Sequence, residues 1–190
     1  MGVVAKIRVI AGEAKGRKLR MVSGGGTRPI SDRVKEALFN ILGNDVRESR
    51  WLDLFAGTGS VGIEALSRGA ERAVFIDTSK SAVKTIQENL TLTRLSQRAV
   101  IQRIDAFKYL AREPQASFDY IYIAPPQYAH LWSKAVVVID GTLGWLNRDG
   151  WVIAQIHPKE YEDLSLRELF EFNNRRYGNT LLIFYKLGEG

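Results

Sequence analysis

The sequence contains no cysteine and only two histidines, His130 and His157. Without cysteine the chain can form neither a disulfide nor a thiolate metal site, and the two histidines lack the spacing of a metal-binding pair. We therefore expect no bound metal. No apolar run approaches the roughly 20 residues that a transmembrane helix needs, and the N-terminal segment lacks the pattern of a signal peptide. We expect a cytoplasmic protein without a membrane partner.

The length leaves little room for a second independent domain. The 190 residues suffice for one full hydrophobic core with a small appendage. A content of 45% hydrophobic and 25% charged residues is typical of an ordinary globular protein and argues against disorder. We expect a monomer.

Acidic residues are scarce at the start of the chain. Residues 1–50 hold eleven Lys or Arg against five Asp or Glu, whereas residues 51–190 hold sixteen of each. The whole excess of +6 therefore lies in the first quarter, as expected for a basic arm that contacts a polyanion, although charge alone also fits a solubilising tail. The candidate phosphate contacts are Arg17, Lys18, Arg20, Arg28 and Arg33.

Residues 1–30 are predicted to form this arm, and residues 31–190 the main domain. The arm, KIRVIAGEAKGRKLRMV, alternates apolar and basic residues around two glycines, which predicts a β-hairpin, and SGGGTRP follows as a flexible joint. A helix is then predicted from Ser31, its N-cap, with apolar residues at 34, 37, 38, 41 and 42. We expect this helix to lie on the main domain and to point Arg33 and Lys35 outward.

From Trp51 onward, strand and helix patterns alternate with short connections. This alternation predicts an α/β fold in which a mostly parallel sheet is covered by helices on both faces. The last two strand patterns, joined by RRYGN, predict an antiparallel hairpin at one edge of the sheet.

The segment LDLFAGTGSVG carries glycines at 57, 59 and 62 between a strand and a helix, and Asp77 ends the next strand 20 residues after Gly57. Taken literally, this is the fingerprint of dinucleotide-binding enzymes, so an NAD-dependent oxidoreductase is one interpretation. The pattern is weakly specific, however, because glycines at the first turn and an acid at the second strand tip suit other ribose-containing cofactors equally well.

Three features favour S-adenosyl-L-methionine over NAD. Asp53 lies inside the first strand, where a carboxylate can hold an amino-acid end and would repel a pyrophosphate. Asp105 ends the third strand beside apolar residues, which suits an adenine amine. The fourth strand ends in two prolines, for which a nicotinamide enzyme has no evident need. The predicted cofactor-binding residues are Asp53, Phe55, Ala56, Gly57, Thr58, Gly59, Asp77, Asp105 and Ala106.

Structural roles are also open for some acids and glycines of these segments. Asp53 can be a structural acid at a strand end, and Asp77 can cap the helix that follows it. Gly62 fits helix packing better than cofactor contact. Glu36 and Glu64 either lie on helix surfaces or brace the glycine loop.

The segment FDYIYIAPPQY predicts a buried strand that ends at Ala124, because Pro125 and Pro126 cannot donate to a sheet ladder. Together with the glycine loop, this strand end resembles class I S-adenosyl-L-methionine-dependent methyltransferases with a Rossmann-like fold. More narrowly, RVIAGEAKGRKLR, TRPISDRVKEALFNIL, LDLFAGTGSVGIEALSRGA and YGNTLLIFYK are similar to the RsmD-type 16S rRNA guanine-N2 methyltransferases.

The resemblance implies a seven-stranded sheet whose last strand is antiparallel. It also implies transfer of a methyl group to the exocyclic N2 amine of a guanine in small-subunit rRNA, with rRNA or the assembling small ribosomal subunit as partner. The catalytic segment implied by the resemblance is Ala124, Pro125, Pro126, Gln127 and Tyr128.

This segment departs from the pattern of Asp or Asn, Pro, Pro, then Tyr or Phe that amino methyltransferases use. Ala124 replaces the acid, Gln127 replaces the aromatic residue, and Tyr128 comes one position late. Two alternatives therefore stay open: a cofactor-binding RNA module without methyl transfer, or a methyltransferase of another nucleic-acid amine.

Overall fold

The computed structural model describes residues 7–23 and 30–188. The strands in these residues are β1 (Ile7–Arg8), β2 (Lys18–Leu19), β3 (Arg50–Asp53), β4 (Arg72–Asp77), β5 (Ala99–Arg103), β6 (Phe118–Ile123), β7 (Leu146–Ile156), β8 (Leu169–Tyr177) and β9 (Thr180–Leu187). The α-helices are α1 (Asp32–Leu42), α2 (Ser60–Ser67), α3 (Lys80–Thr93), α4 (Ala106–Leu110) and α5 (Leu131–Asp140). Short 3-10 helices lie at Gly43–Val46, Ser96–Arg98, Leu143–Trp145 and Pro158–Glu160.

The main sheet has the strand order β5-β4-β3-β6-β7-β9-β8. Strands β5, β4, β3, β6 and β7 run parallel, and β9 is antiparallel to both of its neighbours, β7 and β8. The predictions of a mostly parallel sheet, of an antiparallel edge hairpin and of an antiparallel last strand are therefore confirmed. The direction in which strands are added reverses between β3 and β6, which opens a crevice at the carboxyl ends of these two strands.

Side-chain alternation along the central strands divides the core into two layers. Trp51 and Tyr120 pack into the layer that contains α1, α2 and α3, whereas Leu52 and Ile121 pack into the layer that contains α4 and α5. Successive side chains of a strand point to opposite faces, so near-continuous apolar strands bury both faces of this sheet, as predicted.

Helix α1 begins where the sequence predicts it. The Ser31 hydroxyl accepts a hydrogen bond from the Val34 N–H at 3.3 Å, and Gly43, with φ of 59°, ends the helix. Helix α2 packs closely on β4 at Gly62, since a Cβ atom there would lie 2.4 Å from the Phe75 ring. The helix-packing interpretation of Gly62 is thereby confirmed. No helix in the described residues is both long and apolar enough to span a bilayer.

The N-terminal hairpin is present and lies against the main domain. Ile7 pairs with Leu19 across β1 and β2, and both side chains are buried in the same layer as α1 to α3. At Gly12, with φ of 81°, the connecting loop approaches α2 so closely that a Cβ would lie 1.8 Å from the Ser67 carbonyl oxygen. The glycine joint beyond Ser23, with Arg28, lies outside the described residues. The division at residues 30 and 31 stays a prediction.

The prediction that Lys35 points outward is wrong. Its side chain is fully buried, donates to the Arg8 carbonyl at 2.6 Å, and lies 3.5 Å from the Glu64 carboxylate. Burial lowers the pKa of Lys35, and the neighbouring Glu64 opposes this shift. Lys35 occupies the buried face of α1, and its counter-charge comes from another helix, so local periodicity does not reveal the pair.

Glu64 itself joins the hairpin to α2. Its carboxylate has no exposed surface and accepts from the backbone N–H groups of Ile10 and Ala11, at 2.8 and 3.0 Å, and from Arg68 at 2.8 Å. Glu64 therefore lies neither on a helix surface nor against the glycine loop. Glu36, in contrast, is exposed on α1, which agrees with the interpretation that it lies on a helix surface.

The buried pair makes a prediction about stability. Glu64→Gln leaves Lys35 in the interior without a counter-charge, and removing one partner of a buried pair costs about 3 to 5 kcal/mol. The exposed Glu36→Gln should change the free energy of unfolding by less than about 0.5 kcal/mol. Urea unfolding followed by circular dichroism compares the two variants, and equal losses would contradict a stabilising role for the pair.

Candidate active site

The loop between β3 and α2 lies at the crevice and requires its glycines. Gly57 and Gly59 have φ values of 54° and 74°, in the left-handed region that side chains disfavour. The Gly59 N–H donates to the Ala56 carbonyl at 2.7 Å, which closes a tight turn, and α2 begins at the next residue. The turn brings residues 56–58 to the wall of the crevice, where a ligand can approach them, whereas Gly59, also a predicted cofactor residue, is not among the residues that line it.

Asp53 ends β3 beneath this loop with an unsatisfied carboxylate oxygen. The residue is 2% exposed, and its Oδ2 accepts from the Gly62 N–H at 3.3 Å. Its Oδ1 is buried and has no hydrogen-bond partner among the described residues. Burial raises the pKa of Asp53 to about 7, with a further rise from Asp77 and an opposing effect of the Gly62 N–H. A buried acceptor without a donor indicates a site for a donating ligand group.

Asp77 and Asp105 both lie at strand ends and use part of their hydrogen-bonding capacity on the protein. Asp77 accepts from the Gly57 N–H at 2.9 Å and from the Ser79 N–H at 2.8 Å, so it supports the glycine loop as well as the start of α3. Oδ1 of Asp105 accepts from two N–H groups at the start of α4, each at 3.0 Å. Each carboxylate oxygen can accept more than one bond, so these contacts leave acceptors for a ligand.

Two cavities adjoin at the carboxyl edge of the sheet, one on each side of the strand end that the two prolines form. The proline cavity, of about 190 Å³, contains Asp53, the loop residues 55–58, the segment 124–127 and Gln155. The Asp77 cavity, of about 430 Å³, contains Asp77, Asp105 and Ala106. Both cavities are lined by Phe55, Ala124 and Pro126. The structure thus brings most of the predicted cofactor and catalytic residues to two adjoining cavities.

Several residues of the cavities were not predicted. Tyr122 on β6 donates its hydroxyl hydrogen to Oε1 of Gln155 on β7 at 2.5 Å, and both line the proline cavity. Burial raises the pKa of Tyr122 well above its ordinary value, and Asp53 adds to this rise. The sequence does contain a signal for Gln155, a polar residue one position before the end of the apolar strand WVIAQI.

Gln127 and Tyr128 differ in their positions. Gln127 lines the proline cavity, whereas Tyr128 is not among the described residues that line either cavity. The Tyr128 side chain is 65% exposed, and its ring lies 5.8 Å from that of His157. Its N–H donates to Glu160 at 2.6 Å, which holds the residue in the left-handed region, with φ of 62°. In this conformation Tyr128 lies outside the cavity that the other four residues of the implied catalytic segment line.

The predicted phosphate contacts within the described residues all lie at the surface. Arg17, Lys18, Arg20 and Arg33 are at least partly exposed. Arg20 pairs with Glu88 on α3 at 2.9 Å, an exposed contact that contributes little to stability. Among the residues that the structure describes, no group of three His, Asp or Glu is placed to hold a metal ion.

The raised pKa of Asp53 makes stability depend on pH in a defined direction. The folded chain keeps the Asp53 proton up to about pH 7, whereas an ordinary Asp has a pKa of 3.8. Asp53 therefore lowers the free energy of unfolding progressively as the pH rises between these two values. The loss amounts to at most about 4 kcal/mol. Asp53→Asn should therefore gain stability relative to the parent chain as the pH rises from about 4 to about 7.

Urea unfolding of the ligand-free chain over this pH range measures the effect. The exposed Asp45→Asn serves as the control for the loss of one carboxylate. A constant difference between Asp53→Asn and the parent chain over the whole range would contradict the prediction.

Comparisons with known proteins show the family to which the chain belongs. The family model described as "Conserved hypothetical protein 95" matches residues 7–186. The protein YlbH of Bacillus subtilis is 38% identical over 183 residues, which are 95% of this chain and 98% of that protein. Ribosomal RNA small subunit methyltransferase D of Haemophilus influenzae is 38% identical over 136 residues, 70% of each chain. The solved structure of yhhF from Escherichia coli has a TM-score of 0.84 at 26% identity, covering 96% of this chain and 98% of that one. The chain therefore belongs to this family of methyltransferases, which includes the ribosomal RNA small subunit methyltransferases D.

Proposed function

We propose that this chain transfers a methyl group from S-adenosyl-L-methionine to the exocyclic N2 amine of a guanine in 16S rRNA. The observation that carries the proposal is the meeting of two cavities at Phe55, Ala124 and Pro126. The Asp77 cavity offers carboxylates to a nucleoside. The proline cavity ends at the two prolines, beside the buried Oδ1 of Asp53 that has no donor among the described residues. The residues proposed to hold the methyl donor line both cavities, and the strand end proposed to hold the acceptor amine lies between them, so donor and acceptor can meet there.

The side chains at the crevice fit S-adenosyl-L-methionine. Oδ1 of Asp53 lacks a donor among the described residues, and the ammonium group of the cofactor supplies one. Asp77 and Asp105 line the larger cavity, where they would accept from the ribose hydroxyls and from the adenine amine of the cofactor. When bound, the cofactor supplies an electrophilic methyl group. A dinucleotide would instead bring its pyrophosphate toward Asp53, which disfavours NAD.

The proline cavity suits an amine that is a poor nucleophile. The lone pair of a guanine amine is delocalised into the ring, and acceptors for its two N–H bonds favour the geometry that develops during methyl transfer. The backbone carbonyls of Ala124 and Pro125 and the side chain of Gln127 are the acceptors available at this strand end. Because the acid is absent, we expect the activation free energy of methyl transfer to be higher by about 1.5 to 3 kcal/mol, which lowers the rate by about one to two decades.

Gln155 adds a group that can read the base. Its side-chain oxygen accepts from Tyr122, so the Nε2 hydrogens remain as donors at the wall of the cavity. Such donors suit the O6 or ring-nitrogen acceptors of a purine. The target guanine has to leave its stack to enter this cavity, and the basic residues of the hairpin hold the flanking backbone.

A labelled-methyl assay tests the proposal. Purified protein with S-adenosyl-L-methionine should label 16S rRNA or small-subunit particles that lack the modification, and digestion should recover N2-methylguanine. Asp53→Ala should reduce labelling by at least two decades, because it removes the acceptor for the cofactor ammonium group, whereas the exposed Asp45→Ala should leave it unchanged.

Different outcomes distinguish the alternatives. Binding of S-adenosyl-L-homocysteine in calorimetry without any incorporated label would support a cofactor-binding RNA module. Label on a different base would support another nucleic-acid amine as the substrate. Thermal stabilisation by NAD but not by S-adenosyl-L-homocysteine would support an oxidoreductase.

The role of the hairpin can be tested separately. Replacing Arg17, Lys18 and Arg20 by Ala should weaken 16S rRNA binding and reduce the slope of log K against log salt by about 0.7 to 0.9 for each phosphate that is no longer neutralised. Cofactor affinity should change little. A control variant with three arginines of the main domain replaced, Arg47, Arg112 and Arg148, should keep the slope of the parent chain. Unchanged RNA affinity in the hairpin variant would contradict a role of the arm in RNA binding and would favour a solubilising tail.

A further inference from the structure

Asn89 connects two segments that carry different parts of the proposed function. The residue lies in α3, has no exposed surface, and hydrogen-bonds to the backbone of Arg20 in the hairpin segment and of Thr58 in the glycine loop. Its Oδ1 accepts from the Arg20 N–H at 2.7 Å. Its Nδ2 donates to the Arg20 carbonyl at 3.1 Å and to the Thr58 carbonyl at 2.9 Å.

These three contacts determine the orientation of the amide. A flipped Asn89 would set its oxygen against two carbonyl oxygens and its NH2 group against an N–H, so all three contacts would become repulsive. The side chain therefore pairs with residue 20 as a neighbouring strand would, and uses its remaining N–H to hold the glycine loop.

Each segment that Asn89 contacts reaches a different ligand surface. Thr58 lies between Gly57 and Gly59 and lines the proline cavity. Arg20 follows β2 and directs its exposed guanidinium group toward Glu88. Two and three residues further on, Val22 and Ser23 line the Asp77 cavity. A change in the position of the Arg20 backbone is therefore transmitted along the chain to the wall of the Asp77 cavity. It is also transmitted through Asn89 to Thr58, in the wall of the proline cavity.

Resting on the function proposed above, we propose that Asn89 is a positioning residue that couples RNA binding at the hairpin to cofactor binding at the glycine loop. Each ligand strengthens the binding of the other. A phosphate bound at Arg20 replaces the exposed ion pair with Glu88, which contributes little to stability. The bound phosphate also restricts the motion of the Arg20 backbone. The cofactor orders Thr58. Because one buried amide holds both groups, a ligand that restricts the motion of one group also restricts that of the other, so the cost in conformational entropy is shared between the two ligands.

The chemistry of the site requires an amide at position 89. Asn89→Asp keeps an acceptor for the Arg20 N–H but turns a carboxylate oxygen toward the carbonyls of Arg20 and Thr58. Asn89→Ala removes all three bonds. The matched control is Thr93→Val, one turn further along α3. Within the described residues, the buried Thr93 hydroxyl donates to the backbone carbonyls of Asn89 and Leu90 in its own helix and does not contact the Asn89 amide.

Calorimetry with the full chain measures the coupling. The affinity for S-adenosyl-L-homocysteine is determined with and without saturating purified 16S rRNA, and the ratio of the two affinities is compared between variants. We expect a ratio of about five or more for the parent chain and for Thr93→Val, in the usual range of coupling between sites. The ratio should fall to about one in Asn89→Asp and Asn89→Ala.

Amide hydrogen exchange of the parent chain provides a second measurement that needs no variant. Because the Arg20 N–H donates directly to Asn89, S-adenosyl-L-homocysteine should slow its exchange at least several-fold, although the hydrogen bond itself lies outside both cavities. This measurement and the parent ratio are decisive if circular dichroism finds that both Asn89 variants are unfolded.

The possible failures are distinguishable. A parent chain that binds both ligands with a ratio of one, or an Asn89→Asp variant that keeps the parent ratio, overturns the coupling and leaves the proposed function intact. A parent chain that binds neither S-adenosyl-L-homocysteine nor 16S rRNA overturns both.

Discussion

The assembly of the hairpin with α1 and α2 depends on one buried carboxylate, that of Glu64. Bringing a carboxylate and the ammonium group of Lys35 into the interior costs several kcal/mol for each ion, and their attraction offsets this only when the remaining hydrogen-bonding groups are satisfied. Here the hairpin supplies two N–H donors to Glu64, and the Arg8 carbonyl accepts from Lys35. The pair is therefore stable only when hairpin, α1 and α2 are assembled together.

Asp53 presents the opposite case within the same layer of the fold. Its carboxylate is almost as deeply buried as that of Glu64, yet it accepts a single long bond from Gly62 and leaves one oxygen without a donor among the described residues. Burial therefore raises the pKa of Asp53 to about 7. A buried acid whose oxygens all accept hydrogen bonds has a structural role. A buried acid that lacks a donor at the edge of a cavity can instead bind a ligand that supplies this donor.

The strand end at Ala124 illustrates how the proposed function tolerates an altered motif. The prolines end β6 and leave backbone carbonyls at the wall of the proline cavity, and these do not depend on the side chain at position 124. Tyr128 lies outside the cavity beside His157, while Gln127 and Gln155 contribute polar groups in its place. The acceptor that the altered motif lacks can thus come from the backbone and from neighbouring strands.

The sequence by itself determined the alternation of strands and helices, the antiparallel edge, the glycine loop and the acids at three strand ends, because each of these leaves a local pattern in spacing or residue type. The burial of Lys35, the bracing role of Glu64, the pairing of Tyr122 with Gln155 and the three bonds of Asn89 were decided only by the tertiary structure. The residues that interact in each case are far apart in the chain: Asn89 lies 31 residues from Thr58 and 69 residues from Arg20. A buried polar side chain is explained by the donors and acceptors that folding brings to it, and no local periodicity records which distant segment supplies them.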